Sequence, residues 1–129
     1  MTTRRILVVE DDVHVVGMLR ELLYQEGFAV ETAADGLAGL LTLRSVDADA
    51  VLLDVMMPDV DGVRLLEQVL DEHAGSLPVP ILVITGSPDG ARRCRALLGE
   101  DVVFTKPFDP TELIARLRAR LREAPGRDP

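Results

Sequence analysis

Short apolar runs in this chain end on residues whose types could do chemistry. Glu10 and Asp11 follow Ile6–Val9, Asp54 follows Ala50–Leu53, Thr85 follows Ile81–Ile84, and Lys106 follows Val102–Thr105. A packed core requires none of these groups, and finding them at the ends of four separate runs is a stronger signal than any one alone. If ionised, Glu10, Asp11 and Asp54 contribute about −3 and Lys106 about +1. Crowded carboxylates repel one another and resist full ionisation. A divalent cation relieves that conflict. Oxygen donors without sulfur suit a hard ion, Mg²⁺ with Mn²⁺ as the alternative, over Zn²⁺. Neutralised in this way, the cluster could accept a phosphoryl group whose oxygens meet the metal, Thr85 and Lys106.

The lysine carries its own signal. The chain has 14 Lys and Arg residues, and Lys106 is the only lysine among them. Where generic positive charge suffices, this sequence uses arginine. A compact ammonium on a flexible stem is therefore a specific choice at residue 106.

These residues need a scaffold that brings run ends together. The apolar runs alternate with helical patterns. Val13 to Glu26 places Val15, Val16, Leu19, Leu22 and Leu23 on one stripe, with Gly27 where a C-terminal cap would sit. Phe28 to Ala33 reads as a second strand and Leu37 to Leu43 as a short helix. Asp61 can cap a helix carrying Val63, Leu66, Val69 and Leu70, and Gly62 relieves crowding at its start. Ala91 to Leu98 reads as a fourth helix that either begins late or is mobile, because Ser87-Pro88-Asp89-Gly90 before it is rich in turn residues. The last helix has Asp109 as N-cap, Pro110 at its first position and a stripe of Leu113, Ile114, Leu117 and Leu121. Strands alternating with helices imply βαβ units. Near-continuous apolar strands imply a parallel sheet covered on both faces. The result is a doubly wound α/β sandwich, whose functional crevice lies at the carboxyl ends of the strands.

Composition bounds the rest. With 129 residues the chain fits one domain, and 47% hydrophobic residues allow a sizeable core. No apolar run approaches the roughly 20 residues of a membrane helix. A single cysteine, Cys94, excludes an internal disulfide and suits a reducing, cytoplasmic compartment. The net charge of −8 argues against direct nucleic-acid binding by this surface. Arg92, Arg93, Arg95, Arg116, Arg118, Arg120 and Arg122 read either as solvated helix surface or as a basic docking face.

In order and spacing, Ile6-Leu7-Val8-Val9-Glu10-Asp11, Asp54-Val55-Met56-Met57-Pro58 with Asp61-Gly62, Ile84-Thr85-Gly86 and Lys106-Pro107-Phe108 resemble the receiver domains of two-component response regulators. The resemblance spans residues 4–122. It implies a (βα)5 three-layer sandwich with a five-stranded parallel sheet in the order 2-1-3-4-5. It implies Asp54 as phosphoacceptor, Asp11 as a direct Mg²⁺ ligand, Glu10 as its water-mediated neighbour, and the Met56 backbone carbonyl as a further metal ligand. Thr85 matches the hydroxyl that meets the phosphoryl group and Lys106 the lysine that contacts it. Asp12 reads as a helix cap. The bond before Pro107 is often cis in the family. Residues 1–122 then form the receiver and 123–129 a disordered tail or linker stub.

The implied function is phosphoryl acceptance from a histidine kinase or phosphotransfer protein. Signalling would pass through the fourth helix, fifth strand and fifth helix to a downstream protein or a fused output domain. The domain would catalyse its own phosphorylation and dephosphorylation, with no separate substrate and no membrane contact. Two features depart from the family. Val103 stands where an aromatic residue is usual, with Phe104 one place later and facing the other way. The segment between Thr85 and Lys106 is about one residue short. The competing reading is a receiver-like interaction scaffold that is never phosphorylated. A haloacid-dehalogenase-like phosphatase would carry its nucleophile after the first strand, and a flavin binder would need a hydroxyl-rich phosphate loop there.

Overall fold

The computed structural model describes residues 3–34, 47–56, 62–72 and 79–123. The expected helix Leu37–Leu43, the Asp61 cap, Met57-Pro58 and residues 124–129 of the expected tail lie outside them, while Glu123 belongs to the last helix. The strands are β1 (Arg5–Val9), β2 (Ala29–Ala33), β3 (Ala50–Leu53), β4 (Ile81–Thr85) and β5 (Val103–Thr105). The helices among the described residues are α1 (Val13–Gln25), α2 (Gly62–Glu72), α3 (Pro88–Leu98) and α4 (Pro110–Glu123), with a 3₁₀ turn at Glu100–Val102. All strand pairs are parallel, in the order β2-β1-β3-β4-β5. This is the doubly wound order expected.

Every residue of β3 and β4, and Ile6–Val9 of β1, is buried. Successive strand side chains point to opposite faces, so burial of both parities means that both faces are covered. From the helices come Leu19 and Leu23, Val63 and Leu66, Ala91 and Cys94, and Leu113, Ile114, Leu117 and Leu121. The α4 stripe is the one expected, and Cys94 packs in the core as a small hydrophobe. No helix among the described residues is long and apolar enough to cross a membrane.

Helix ends follow the local chemistry. Gly27 adopts φ +90°, and the amides of Gly27 and Phe28 reach back to Tyr24 and Leu23 at 3.0 Å. This pair of bonds closes α1 and turns the chain into β2. Phe28 therefore precedes the strand rather than opening it. Asp12 caps α1, its carboxylate accepting from the His14 and Val15 amides, and Asp109 accepts from Thr111 at the start of α4. The fourth predicted helix requires a correction. It starts at Pro88 rather than Ala91, because Ser87 is a true N-cap and proline suits the first helical position.

Candidate functional site

The ladder positions the site residues by running one residue past the strands. The Glu10 amide donates to Ala33, that of Asp54 to Val9, and that of Lys106 to Thr85, at 2.8–3.0 Å. Thr85 is itself the last residue of β4. The four run ends thus meet at the carboxyl edge of the sheet.

Among the described residues, Glu10, Asp54 and Thr85 are the buried polar and charged ones, while Asp11 is exposed and opens the site to solvent. One carboxylate oxygen from each of Glu10, Asp11 and Asp54 lies within 4.8 Å of the others. Lys106 Nζ spans two of them, donating to Glu10 Oε1 at 2.9 Å and Asp54 Oδ2 at 3.3 Å. The other Asp54 oxygen, Oδ1, accepts from the Met56 amide at 2.9 Å, and Glu10 Oε2 accepts from the Asp12 amide at 3.2 Å. Thr85 Oγ1 accepts from the Ser87 amide at 3.1 Å. The Lys106–Pro107 bond is cis. Sequence reasoning named each member of this cluster; it did not foresee that one ammonium would be shared by two acids.

Burial raises the Glu10 carboxyl, and the neighbouring Asp54 pushes it further; the Lys106 ammonium and the Asp12 amide oppose this but do not prevail. Burial pulls Lys106 down, yet its bond to Glu10 and the charge of Asp54 outweigh that and hold it above the usual lysine range. Asp12 is held low by the two amides it caps. The cluster is therefore a protonation conflict between close acids that one ammonium does not resolve. A hard divalent cation fits here: three convergent oxygens, no sulfur or imidazole, and an acid whose ionisation the site resists.

The arginines of the last two helices spend much of their charge locally. Arg92 pairs with Asp89, Arg95 faces Glu100 at 3.9 Å, and Arg116 and Arg120 lie 3.8 and 3.9 Å from Asp101. Arg118 donates to the carbonyl and carboxylate of Glu26 at 2.9 Å and stacks over Phe28. A cleft of about 800 Å³ runs along β5 between the end of α3 and α4, lined by Arg95, Phe104, Phe108, Glu112 and Arg116 among others. Val103 is buried and Phe104 half-buried.

With the geometry in place, known proteins give it a family. The response regulator receiver domain matches residues 6–118, and the chain belongs to that family. It is similar to the DNA-binding response regulator MtrA of Mycobacterium tuberculosis, 41% identical over 120 residues, 92% of this chain and 51% of the relative. It is also similar to the regulatory protein VanRc of Enterococcus gallinarum, 34% identical over 121 residues, 93% of this chain and 51% of the relative. The chain spans about half the length of these curated relatives. A CheY-like receiver domain protein from Methanospirillum hungatei superposes with a TM-score of 0.81 at 28% identity, covering 95% of this chain and 96% of that one. Response regulator protein TrrA of Thermotoga maritima, solved in complex with Mg(2+)-BeF, gives 0.78 at 26% identity, covering 91% and 98%.

Proposed function

We propose that this receiver domain accepts a phosphoryl group on Asp54 from a phosphohistidine of a histidine kinase or phosphotransfer protein, with Mg²⁺ bound by Asp11, Asp54 and the Met56 carbonyl and by Glu10 through water. The observation that carries this is a buried Asp54 with two further acids and the ammonium of Lys106 gathered around it. An Asp54 carboxylate oxygen attacks phosphorus in line. The bond from phosphorus to the imidazole nitrogen breaks, and its electron pair returns to the ring. The phosphoryl oxygens carry the developing charge, and Lys106 exchanges its bonds to Glu10 and Asp54 for one to a phosphoryl oxygen. The Thr85 hydroxyl donates to another. When bound, Mg²⁺ supplies charge neutralisation at the same oxygens. Water later cleaves the acyl phosphate, regenerating Asp54 and releasing phosphate, and no separate substrate is turned over.

The receiver runs to the end of α4 at Glu123, one residue past the expected boundary, with 124–129 as tail or linker, and works in the cytoplasm. Its output passes through α3, β5 and α4, where the cleft lies, to a downstream protein or a fused output domain; the domain itself binds no nucleic acid. The test is labelling by acetyl phosphate with Mg²⁺. The wild-type chain should take up label that Asp54→Asn abolishes. Labelling that persists in the variant excludes Asp54 as the acceptor. A wild-type chain that never labels favours the unphosphorylated scaffold.

A further inference from the structure

A chain of hydrogen bonds links the site to α3. Thr85 Oγ1 accepts from the Ser87 amide at 3.1 Å. Ser87 Oγ accepts from the Gly90 amide at 3.0 Å, and the Ser87 carbonyl accepts from Ala91 at 2.9 Å. Ser87 thus takes its own position from the Thr85 hydroxyl and in turn caps α3. The helix start is also pressed against the residue after Asp54. A Cβ on Gly90 would lie 3.1 Å from Val55 Cγ2, and Gly90 and Ala91 are both buried.

We infer that Ser87 is a positioning residue that couples Thr85 to the first turn of α3 through this chain of hydrogen bonds. The inference rests on the phosphoryl-acceptor reading of Asp54. The physical step is discrete. Thr85 is fully buried, and a β-branched side chain occupies a few staggered rotamers rather than a continuum. Turning its hydroxyl toward a phosphoryl oxygen withdraws Oγ1 from the Ser87 amide. That amide then needs a new acceptor, so the Ser87 backbone shifts. The cap on Gly90 shifts with it, because both bonds belong to one residue. The signal reaches α3 through these hydrogen bonds alone.

Amide hydrogen exchange at Gly90 in the 129-residue chain tests this, with Mg²⁺ and beryllofluoride as the phosphoryl mimic. In the wild type the mimic should accelerate Gly90 exchange by about fivefold or more, the size of a lost cap. Ser87→Ala should begin about fivefold faster and change by less than about twofold on adding the mimic. Ser87→Thr, which keeps the hydroxyl, should recover the wild-type response. A Ser87→Ala chain with the full wild-type increment overturns the relay and leaves only an ordinary cap. So does a wild type whose Val55 and Met56 amides respond to the mimic while Gly90 does not. A wild type whose Val55 and Met56 amides are also silent overturns the acceptor reading and the relay together.

Discussion

Glu10 illustrates how a single side chain connects burial, charge and metal binding. Its carboxyl is raised by burial and then by Asp54, so the folded state holds its proton more tightly than the unfolded chain does. The stability it contributes is present below the ordinary carboxylate range and is lost as pH rises through its raised value. Lys106, also raised, has the same sign, but its loss comes only above the usual lysine range, so it does not move stability near neutrality. Denaturation of the Mg²⁺-free protein should therefore show stability falling from mildly acidic pH toward neutral. Glu10→Gln, which cannot ionise, should flatten that dependence. The same proton competes with metal, so Mg²⁺ affinity should fall as pH drops through this window, and Glu10→Gln should weaken it by roughly tenfold, as expected for a group acting through water. A Glu10→Gln chain with an unaltered pH profile would show that another group carries the effect. Glu10, Asp11, Asp54, Thr85 and Lys106 were legible in the sequence because each is a polar type ending an apolar run. The sharing of Lys106 by two acids was not, since it depends on side-chain conformation across β1, β3 and the residue after β5.

At the level of elements, the same chemical signature was read at one helix and missed at another. Asp109-Pro110 reads as cap and first position of α4 and is found so, whereas Ser87-Pro88 reads as a turn and yet caps and opens α3. Glycine favours turns, but Gly90 lies within α3 because Val55 leaves little room for a side chain. Gly62, at the start of α2, is the stronger case. A Cβ there would lie 2.4 Å from Val55 Cα, a backbone atom that cannot swing away. Helix propensity alone favours Gly62→Ala by up to about 1 kcal/mol, whereas overpacking against backbone costs about 1–3 kcal/mol or more. The clash should win. Urea denaturation should show Gly62→Ala destabilised by about 2 kcal/mol and Gly90→Ala by less, since its nearest obstacle is the Val55 Cγ2 methyl at 3.1 Å. A stabilised Gly62→Ala would mean that the connection after β3 yields readily.

For the molecule as a whole, periodicity alone indicated the class of fold, since short apolar strands alternating with helices leave few alternatives. The order β2-β1-β3-β4-β5 is not a property of any one segment, and only the resemblance implied it. The net charge of −8 raises a question at the same scale, because any added salt screens self-repulsion and stabilises an acidic chain somewhat. A real metal site must do more than that. If Mg²⁺ binds the folded state alone, a free concentration of a hundred times its dissociation constant stabilises by about 2.7 kcal/mol, which in a domain of this size raises the melting temperature by roughly 10 °C. NaCl at matched ionic strength should give only a small part of that rise, and chelation should reverse it. Asp11→Asn separates the two effects further. It removes one charge from the total, which slightly relieves repulsion, but it takes away the exposed carboxylate that completes the cluster. The variant should therefore melt at or above the wild type without metal and respond to Mg²⁺ no more than to NaCl. An equal response of the wild type to both salts would mean that these acids do not form a cation site.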